Sequence, residues 1–326
     1  MQVSLLILAI LLFSLSFALT YFIKNYYIKN ALVDEINERS SHTVPTPHGG
    51  GIALAITWFV GLIYLNYTSQ IDTTLFYALM IGILISVVSF FDDIYELSPK
   101  LRLSVQFAVA IGGIVALGGL NSLDFGIFTI TNPIVTNAIA IVAIIWYINL
   151  YNFLDGINGY AGSEIVFLSV AGFVLVGGGH FIVLTVAALG FLYWNFNKAK
   201  IFMGDVGSTL LGYNVAIFTL YYANQESTNL WIWIILFGVF WFDATLTLIR
   251  RKLNGEQISQ AHKKHGYQRL NQSGWSHFKV TNWSIGVNLL LFCIVYFISN
   301  VAIAFLSSLI VLYSAMKFID NKKRFN

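Results

Sequence analysis

Residues 3–23 read VSLLILAILLFSLSFALTYFI, an apolar run without a charged side chain. A transmembrane helix needs roughly 20 mostly apolar residues, and this run supplies them. No basic residues precede the run, no small-residue cleavage site follows it, and it is longer than the core of a signal peptide. We therefore predict that it is retained as the first membrane span.

The overall composition also indicates that lipid is the main solvent. Of the 326 residues, 57% are hydrophobic and 10% are charged, whereas a soluble domain carries about 25% charged residues. The chain has four prolines and no low-complexity stretch. We interpret residues 1–326 as a single integral membrane domain and expect no nucleic-acid partner. The one cysteine, Cys293, cannot form an intrachain disulfide.

Further apolar runs predict an all-α, polytopic bundle of about 11 transmembrane helices, or about 10 if one short run does not span. The runs lie near 49–66, 73–91, 103–120, 134–151, 161–178, 180–196, 208–223, 230–249, 281–298 and 300–317. All 18 Lys and Arg residues fall in the connections after odd-numbered runs or in the C-terminal tail. By the positive-inside rule, we expect the N-terminus outside and the C-terminus in the cytoplasm.

The same basic connections carry most of the reactive side chains, which predicts one composite site at the cytoplasmic face. The first of them reads RSSHTVPTPHGGG at 39–51 and includes His42 and His48. Its glycine triplet, Gly49–Gly51, could bring backbone N–H groups to an anion at the start of a helix. The alternative is an ordinary turn.

Two adjacent carboxylates, Asp92 and Asp93, end the third run. Adjacent carboxylates at the end of an apolar helix are unfavourable without a cation or a proton between them. Lys100 and Arg102 follow closely and could neutralise the pair or hold phosphate. The alternative is a solvated helix end.

The fifth run ends in polar residues at helical spacing. Asn149, Asn152 and Asp155 are three residues apart, so a helix would place them along one strip. Two amides and a carboxylate on one strip suit a polar ligand such as a nucleobase or a sugar. The alternative is capping of the helix C-terminus.

The segment FMGDVGS at 202–208 opens the eighth run. Its glycines expose backbone around Asp205 close to a helix N-terminus. A carboxylate for Mg²⁺ beside backbone N–H groups suits a diphosphate, and the alternative is a simple N-cap.

The last large connection contains AHKKHGYQR at 261–269. With basic neighbours, His262, His265 and Arg269 favour a loop that holds phosphate over a metal site. The alternative is a loop that binds anionic lipid headgroups.

Together the motifs resemble those of the polyprenyl-phosphate N-acetylhexosamine-1-phosphate transferases, the WecA/MraY-like glycosyltransferase family 4. The resemblance extends from about Arg39 to Arg269 and rests on DD, NxxNxxDGxxG, FMGDVGS and the His-containing last loop, in that order. It implies transfer of a sugar-1-phosphate from a UDP-amino-sugar to undecaprenyl phosphate, with release of UMP. It also implies Mg²⁺ as cofactor, with Mn²⁺ as the alternative ion, and it allows a homodimer.

Roles are carried over by position. The resemblance implies a metal ligand at Asp205 and a base or nucleophile at Asp92. The catalytic residues predicted in this way are Asp92, Asp93 and Asp155. The predicted substrate-binding residues are His48, Lys100, Asn149, Asn152, Asn195, Phe202, His262, His265 and Arg269, among which Phe202 would stack on uracil.

Two departures from the peptidoglycan branch bear on the substrate. The triple-His run is absent, and Glu96 stands where the DDxxK form has lysine. The resemblance therefore favours the branch that initiates O-antigen or capsule repeats, on an N-acetylhexosamine or a 6-deoxy relative, in the bacterial cytoplasmic (inner) membrane. The competing class is a transporter or flippase for a phosphorylated lipid or nucleotide sugar, which would place polar groups near the membrane midplane.

Overall fold

A computed structural model describes residues 2–30, 33–34, 46–125, 128–226, 228–257, 260 and 262–325, and it is mostly helical. The all-α prediction is therefore confirmed, and every apolar run coincides with a helix or a broken helix. These helices are α1 (Gln2–Lys29), α2 (Gly50–Tyr67), α3 (Thr73–Met80), α4 (Gly82–Tyr95), α5 (Pro99–Leu117), α6 (Pro133–Phe153), α7 (Tyr160–Val176), α8 (Gly179–Asn195), α9 (Asp205–Asn224), α10 (Leu230–Leu236), α11 (Gly238–Leu253), α13 (His277–Phe297) and α14 (Val301–Lys322). The short helix α12 (Gly266–Gln272) was not predicted.

Within the described residues, seven helical segments are long and apolar enough to cross a membrane. The number is eight if α10 and α11, which meet at a bend of 77°, are counted as one span. The helices α7 and α8 are apolar but have only 17 residues each. The chain is thus an integral membrane protein with several spans.

Two small antiparallel hairpins complete the described secondary structure. In one, β1 (Val33–Asp34) pairs with β2 (Thr46–Pro47), and in the other β3 (Leu123–Asp124) pairs with β4 (Thr129–Ile130). The first hairpin leads directly into α2, so that it lies at the same end of the bundle as the polar motifs.

The helix α9 occupies the centre of the bundle and is buried from Val206 to Tyr222. Glycines allow its neighbours to approach closely. A Cβ added at Gly51 would lie 2.5 Å from the Cα of Gly207, and one at Gly212 would lie 2.8 Å from the Cα of Ile148. Because such distances leave no room for a side chain, the backbones of α2 and α6 pack directly against α9. This packing brings the polar ends of these helices together.

An ion-pair network holds the last loop against the end of α14. Arg250 makes a bidentate contact with Asp320 at 2.9 Å for both bonds, and Arg269 reaches the same carboxylate at 2.6 Å. From the other side, Asp243 accepts the backbone N–H groups of Gly266 and Tyr267 at 2.7 and 3.2 Å. These contacts fix the first turn of α12.

Candidate functional site

Asp92 is a buried carboxylate in the last turn of α4. Its Oδ1 accepts the N–H of Leu97 at 2.8 Å, and its Oδ2 lies 3.3 Å from Nη1 of Arg102. Glu96 ends α4 in the left-handed region, with φ of 48°, and this turn brings Leu97 back towards the carboxylate. Asp92 is therefore fixed in orientation, and its cation partner is Arg102.

Asp93 connects the end of α4 to the start of α9. Its Oδ1 accepts the N–H of Asp205 at 3.2 Å. The preceding Gly204 has φ of 76°, and a Cβ there would lie 3.0 Å from Oδ2 of Asp93. A glycine at this position thus lets the carboxylate approach the N-terminus of α9, where the helix dipole favours negative charge.

Asn152 links α6 to the same point. Its Nδ2 donates to Oδ1 of Asp205 at 2.9 Å and to the Ser208 hydroxyl at 3.0 Å. Asn149, one turn earlier, pairs instead with Gln106 of α5, with 2.8 Å between its Nδ2 and the glutamine Oε1. The predicted strip is therefore divided: Asn152 contacts the carboxylates, and Asn149 joins two helices beside them.

Asp155 lies in the loop after α6, close to the other carboxylates. Burial raises the pKa of Asp155 well above its usual range, and the charges of Asp205 and Asp93 raise it further. A carboxyl in this position favours a proton or a nearby cation. The three carboxylates predicted to be catalytic, together with Asp205, therefore meet in one region.

The glycine triplet of the first connection has a packing role in the structure. Gly50 donates its N–H to the carbonyl of Phe202 at 2.9 Å, and Gly51 donates to that of Met203 at 2.8 Å. The expectation that this triplet binds an anion is wrong for these two residues, because their N–H groups are already satisfied. His42 lies outside the described residues.

The segment 202–204 brings His48 and Phe202 together, with ring centroids 6.0 Å apart. Asn195 is buried and acts as a bridge: its Oδ1 accepts the N–H of Gly159 at 2.8 Å, and its Nδ2 donates to the Ile201 carbonyl at 2.9 Å. Asn195 thus joins the segment before Phe202 to the start of α7, and both its amide oxygen and its amide nitrogen are engaged in these hydrogen bonds.

The last loop contacts the C-terminal end of α6. The ring of His265 stacks on Phe153 at 6.3 Å, and its Nδ1 lies 3.7 Å from Oδ1 of Asp243. His262 lies 4.7 Å from His265 between ring centroids, and burial followed by the charges of His265 and Arg251 lowers the pKa of His262 to about 4. His262 is therefore neutral at pH 7 and offers hydrogen bonds rather than charge.

Two basic residues predicted to bind substrate lie apart from the carboxylates. Arg269 is buried, and its guanidinium is committed to Asp320 and to the Lys323 carbonyl. Lys100 is exposed at the start of α5 and contacts no carboxylate in the described part of the chain. Arg102, two residues further along the chain, is the residue that reaches Asp92. The sequence indicates a basic residue near the carboxylates, but it does not show which of Lys100 and Arg102 makes the contact.

Two cavities meet at Asp92, Arg102 and Asp205. One, of about 300 Å³, extends between α4, α5, α6 and the start of α9. Most of its surface is apolar, with Ile85 and Leu103 among the lining residues, although Gln106 and Asn149 also line it. The other, of about 490 Å³, is polar and also includes the residues His48, Asp93, Glu96 and Leu97. The carboxylates thus stand between an apolar slot and a polar cleft.

The donor set fits a hard divalent cation. Asp92, Asp93 and Asp205 carry oxygen atoms, the ligands that Mg²⁺ prefers. Among the described residues, the one ion pair that these carboxylates form is that of Asp92 with Arg102. No group of three or more His, Cys, Asp or Glu side chains in those residues forms a ready metal cage. A Mg²⁺ ion bound here would therefore use one or two of these carboxylates and complete its shell with water and substrate phosphates.

Comparison with known proteins gives a consistent result. A family model described as Glycosyl transferase family 4 matches residues 75–223. The "Probable undecaprenyl-phosphate N-acetylglucosaminyl 1-phosphate transferase" of Bacillus subtilis (strain 168) is 33% identical over 273 residues, which cover 79% of this chain and 75% of that protein.

Two other relatives differ in their named substrates. The "Decaprenyl-phosphate N-acetylglucosaminephosphotransferase" of Mycobacterium tuberculosis (strain CDC 1551 / Oshkosh) is 28% identical over 74% of this chain and 70% of its own length. The "Phospho-N-acetylmuramoyl-pentapeptide-transferase" of Staphylococcus aureus (strain JH9) is 28% identical over 74% of this chain and 82% of its own length. The matched region includes the carboxylates of α4, the loop after α6 and the start of α9.

Proposed function

The chain belongs to glycosyl transferase family 4, and from that premise we propose that it transfers a sugar-1-phosphate from a UDP-amino-sugar to undecaprenyl phosphate. The observation that carries the proposal is the meeting of an apolar slot and a polar cleft at Asp92, Arg102 and Asp205. A lipid phosphate and a water-soluble diphosphate could reach the same carboxylates from these two sides.

The reaction exchanges one phosphorus–oxygen bond for another. An oxygen of the lipid phosphate attacks the sugar-linked phosphorus of the UDP-sugar, and the bond to the uridine-linked phosphate breaks. UMP leaves with the electron pair of that bond, while the sugar keeps its own bond to phosphorus. The product is a sugar–diphosphate–lipid. Because the lipid phosphate is already an anion at neutral pH, its attack depends mainly on positioning and charge stabilisation.

The residues divide this work between them. Asp205, held by Asn152, would ligate Mg²⁺, which when bound would offset the charge of the diphosphate. Mn²⁺ is the alternative ion. Asp92, oriented by Arg102, is the candidate base or nucleophile, and Asp93 steadies the backbone beside Asp205. A one-step displacement and a covalent two-step route both fit this arrangement.

The apolar slot is the proposed site of the polyprenyl chain. It begins at Arg102 and continues past Leu103, which is exposed on the outer surface of α5. A phosphate at Arg102 would therefore have its hydrocarbon tail directed towards the lipid phase. The donor would occupy the polar cleft near His48, with uracil stacked on Phe202.

For the sugar we propose an N-acetylhexosamine, first of all N-acetylglucosamine, or one of its 6-deoxy relatives. Support comes from the name of the B. subtilis relative and from the absence of the triple-His run of the peptidoglycan branch. The product would initiate an envelope glycan such as O-antigen or capsule.

We further propose about 11 spans, with the N-terminus outside and the site at the cytoplasmic face of a bacterial inner membrane. The distribution of all 18 Lys and Arg residues supports this orientation. It would allow a cytoplasmic nucleotide to meet a lipid-borne acceptor.

UMP release by the purified protein tests the proposal. The assay contains undecaprenyl phosphate, Mg²⁺ and a panel of UDP-amino-sugars that includes UDP-N-acetylglucosamine and 6-deoxy relatives. We expect release with one donor and only when both substrates are present. If folded protein releases no UMP with any donor, the transferase proposal fails, and a flux assay would then test the transporter alternative.

A further inference from the structure

A tyrosine of the first helix lies beside the catalytic carboxylates. Tyr27 is in the last turns of α1, and its ring packs on Gly49, which has φ of +94°. A Cβ added at Gly49 would lie 3.1 Å from Cζ of Tyr27 and 3.2 Å from its phenolic oxygen. The phenol therefore rests on the turn that leads into α2.

Contacts continue from this turn to Asp93. A Cβ at Gly204 would lie 3.6 Å from the backbone nitrogen of Gly49 and 3.0 Å from Oδ2 of Asp93. The charge of Asp93 is close enough to act on the phenol of Tyr27. Tyr27, Gly49, Gly204 and Asp93 thus form a continuous cluster at the polar end of the site.

The phenol of Tyr27 is a donor without an acceptor. It is partly buried, yet it makes no hydrogen bond within the described part of the chain. Tyrosine hydroxyls that are withdrawn from water usually find a partner. Tyr26, its neighbour, is 62% exposed, and its ring lies 6.1 Å from that of Tyr27 between centroids. Within the described residues, the Tyr27 hydroxyl is thus available to a ligand that binds beside Gly49 and Asp93.

We propose that Tyr27 donates its phenolic hydrogen to a phosphate oxygen of the UDP-sugar. The inference rests on the proposed function and adds a binding residue to it. Tyr27 lines neither cavity itself, but it packs on Gly49, which follows His48 in the chain, and both His48 and Asp93 line the polar cleft and not the apolar slot. This position assigns it to the nucleotide-sugar diphosphate rather than to the lipid phosphate.

The test compares Tyr27→Phe with Tyr26→Phe. Each change removes one oxygen, and phenylalanine at position 27 can still pack on Gly49. A hydrogen bond to a charged acceptor contributes about 1.5–3 kcal/mol, so Tyr27→Phe should raise KM for the UDP-sugar by about tenfold or more. KM for undecaprenyl phosphate and the Tm should stay unchanged, and Tyr26→Phe should behave as the wild type in all three.

Several outcomes would overturn the assignment. One is an unchanged KM for the UDP-sugar, and another is a rise in KM for undecaprenyl phosphate alone. A third is an equal loss for both substrates with a lower Tm, which would indicate a structural role. If the wild type releases no UMP, the proposed function fails separately. In that case, the affinities of the wild type and both variants for the UDP-sugar are measured by calorimetry with Mg²⁺. A Kd that rises about tenfold or more for Tyr27→Phe alone supports the assignment, and an unchanged Kd overturns it.

Discussion

Asn152 donates from Nδ2 to Oδ1 of Asp205 at 2.9 Å and so joins the end of α6 to the start of α9. This amide orients a carboxylate that lies among three others and has no cation of its own within the described residues. Because Oδ1 of Asp205 accepts this hydrogen bond, Oδ2 is the oxygen that we assign to the metal.

Removal of this amide should weaken the use of Mg²⁺. Substitution of groups that orient a metal ligand typically costs 10- to 100-fold in metal affinity or activity, so we expect Asn152→Ala to raise the Mg²⁺ concentration for half-maximal UMP release by about that factor. Asn149→Ala, which removes the contact with Gln106 instead, is the comparison. A larger Mg²⁺ effect at Asn149 than at Asn152 would contradict the assignment.

Arg102 and Lys100 separate two interpretations of the acceptor site. Arg102 stands at the junction of the two cavities, 3.3 Å from Asp92, whereas Lys100 is exposed. We expect Arg102→Gln to raise KM for undecaprenyl phosphate by about tenfold, since a charge-assisted contact is lost. Lys100→Gln should change KM by less. A larger effect of Lys100→Gln would favour Lys100, the residue predicted from the sequence, as the phosphate ligand.

Asp155 should make stability depend on pH. Its pKa is raised in the folded state above the unfolded value of about 3.9. The folded state therefore binds a proton more tightly, and the stability gained from the neutral form is present at low pH and lost as pH rises through the folded pKa.

The variant Asp155→Asn should not lose stability in this way as pH rises, because its side chain does not titrate. Its Tm should exceed that of the wild type by a margin that grows from pH 5 to pH 8, and its transferase activity should fall. Thermal unfolding in detergent across this range provides the measurement. A margin that shrinks as pH rises would show that Asp155 is stabilised as the anion.

Asp320 should matter for stability because it is the carboxylate of two arginines. Asp320→Asn would leave Arg269, which is 2% exposed, without its charged partner. Breaking a buried ion pair costs about 3–5 kcal/mol, and because Asp320 is partly exposed we expect a loss of about 3 kcal/mol in the free energy of unfolding. The Tm should fall clearly, whereas Lys317→Gln on the same helix should leave it unchanged. An unchanged Tm with a raised KM for the UDP-sugar would instead support Arg269 as a phosphate ligand.

The helices could be predicted from sequence because the signal is local: each apolar run supplies its own length and solvent preference. The bend at Phe237, between α10 and α11, could not be predicted from the sequence, because it depends on packing against residues distant in the chain. A Cβ at Gly238 would lie 2.9 Å from Leu291 and 3.0 Å from Leu312, so the direction of α11 is set by α13 and α14. The short helix α12 likewise depends on Asp243, more than twenty residues away.

The same distinction applies to the site. The carboxylates were found because charge at membrane depth is costly and marks function. The hydrogen bonds of Gly50 and Gly51 with residues 202 and 203 could not be predicted, because no local pattern encodes a partner about 150 residues away. The same holds for the pairing of Arg269 with Asp320, and for the position of Tyr27, which looks from sequence like any aromatic residue at a membrane interface.

The most direct test follows the sugar-linked phosphorus. UDP-N-acetylglucosamine, or the donor selected by the UMP assay, is labelled with ³²P at that phosphorus and incubated with undecaprenyl phosphate, Mg²⁺ and the purified protein. The account predicts that the label moves into the lipid phase, with one UMP released for each labelled lipid, and that Asp205→Asn abolishes the transfer. Label that stays in water as UDP or as free sugar phosphate would contradict sugar-1-phosphate transfer at this site.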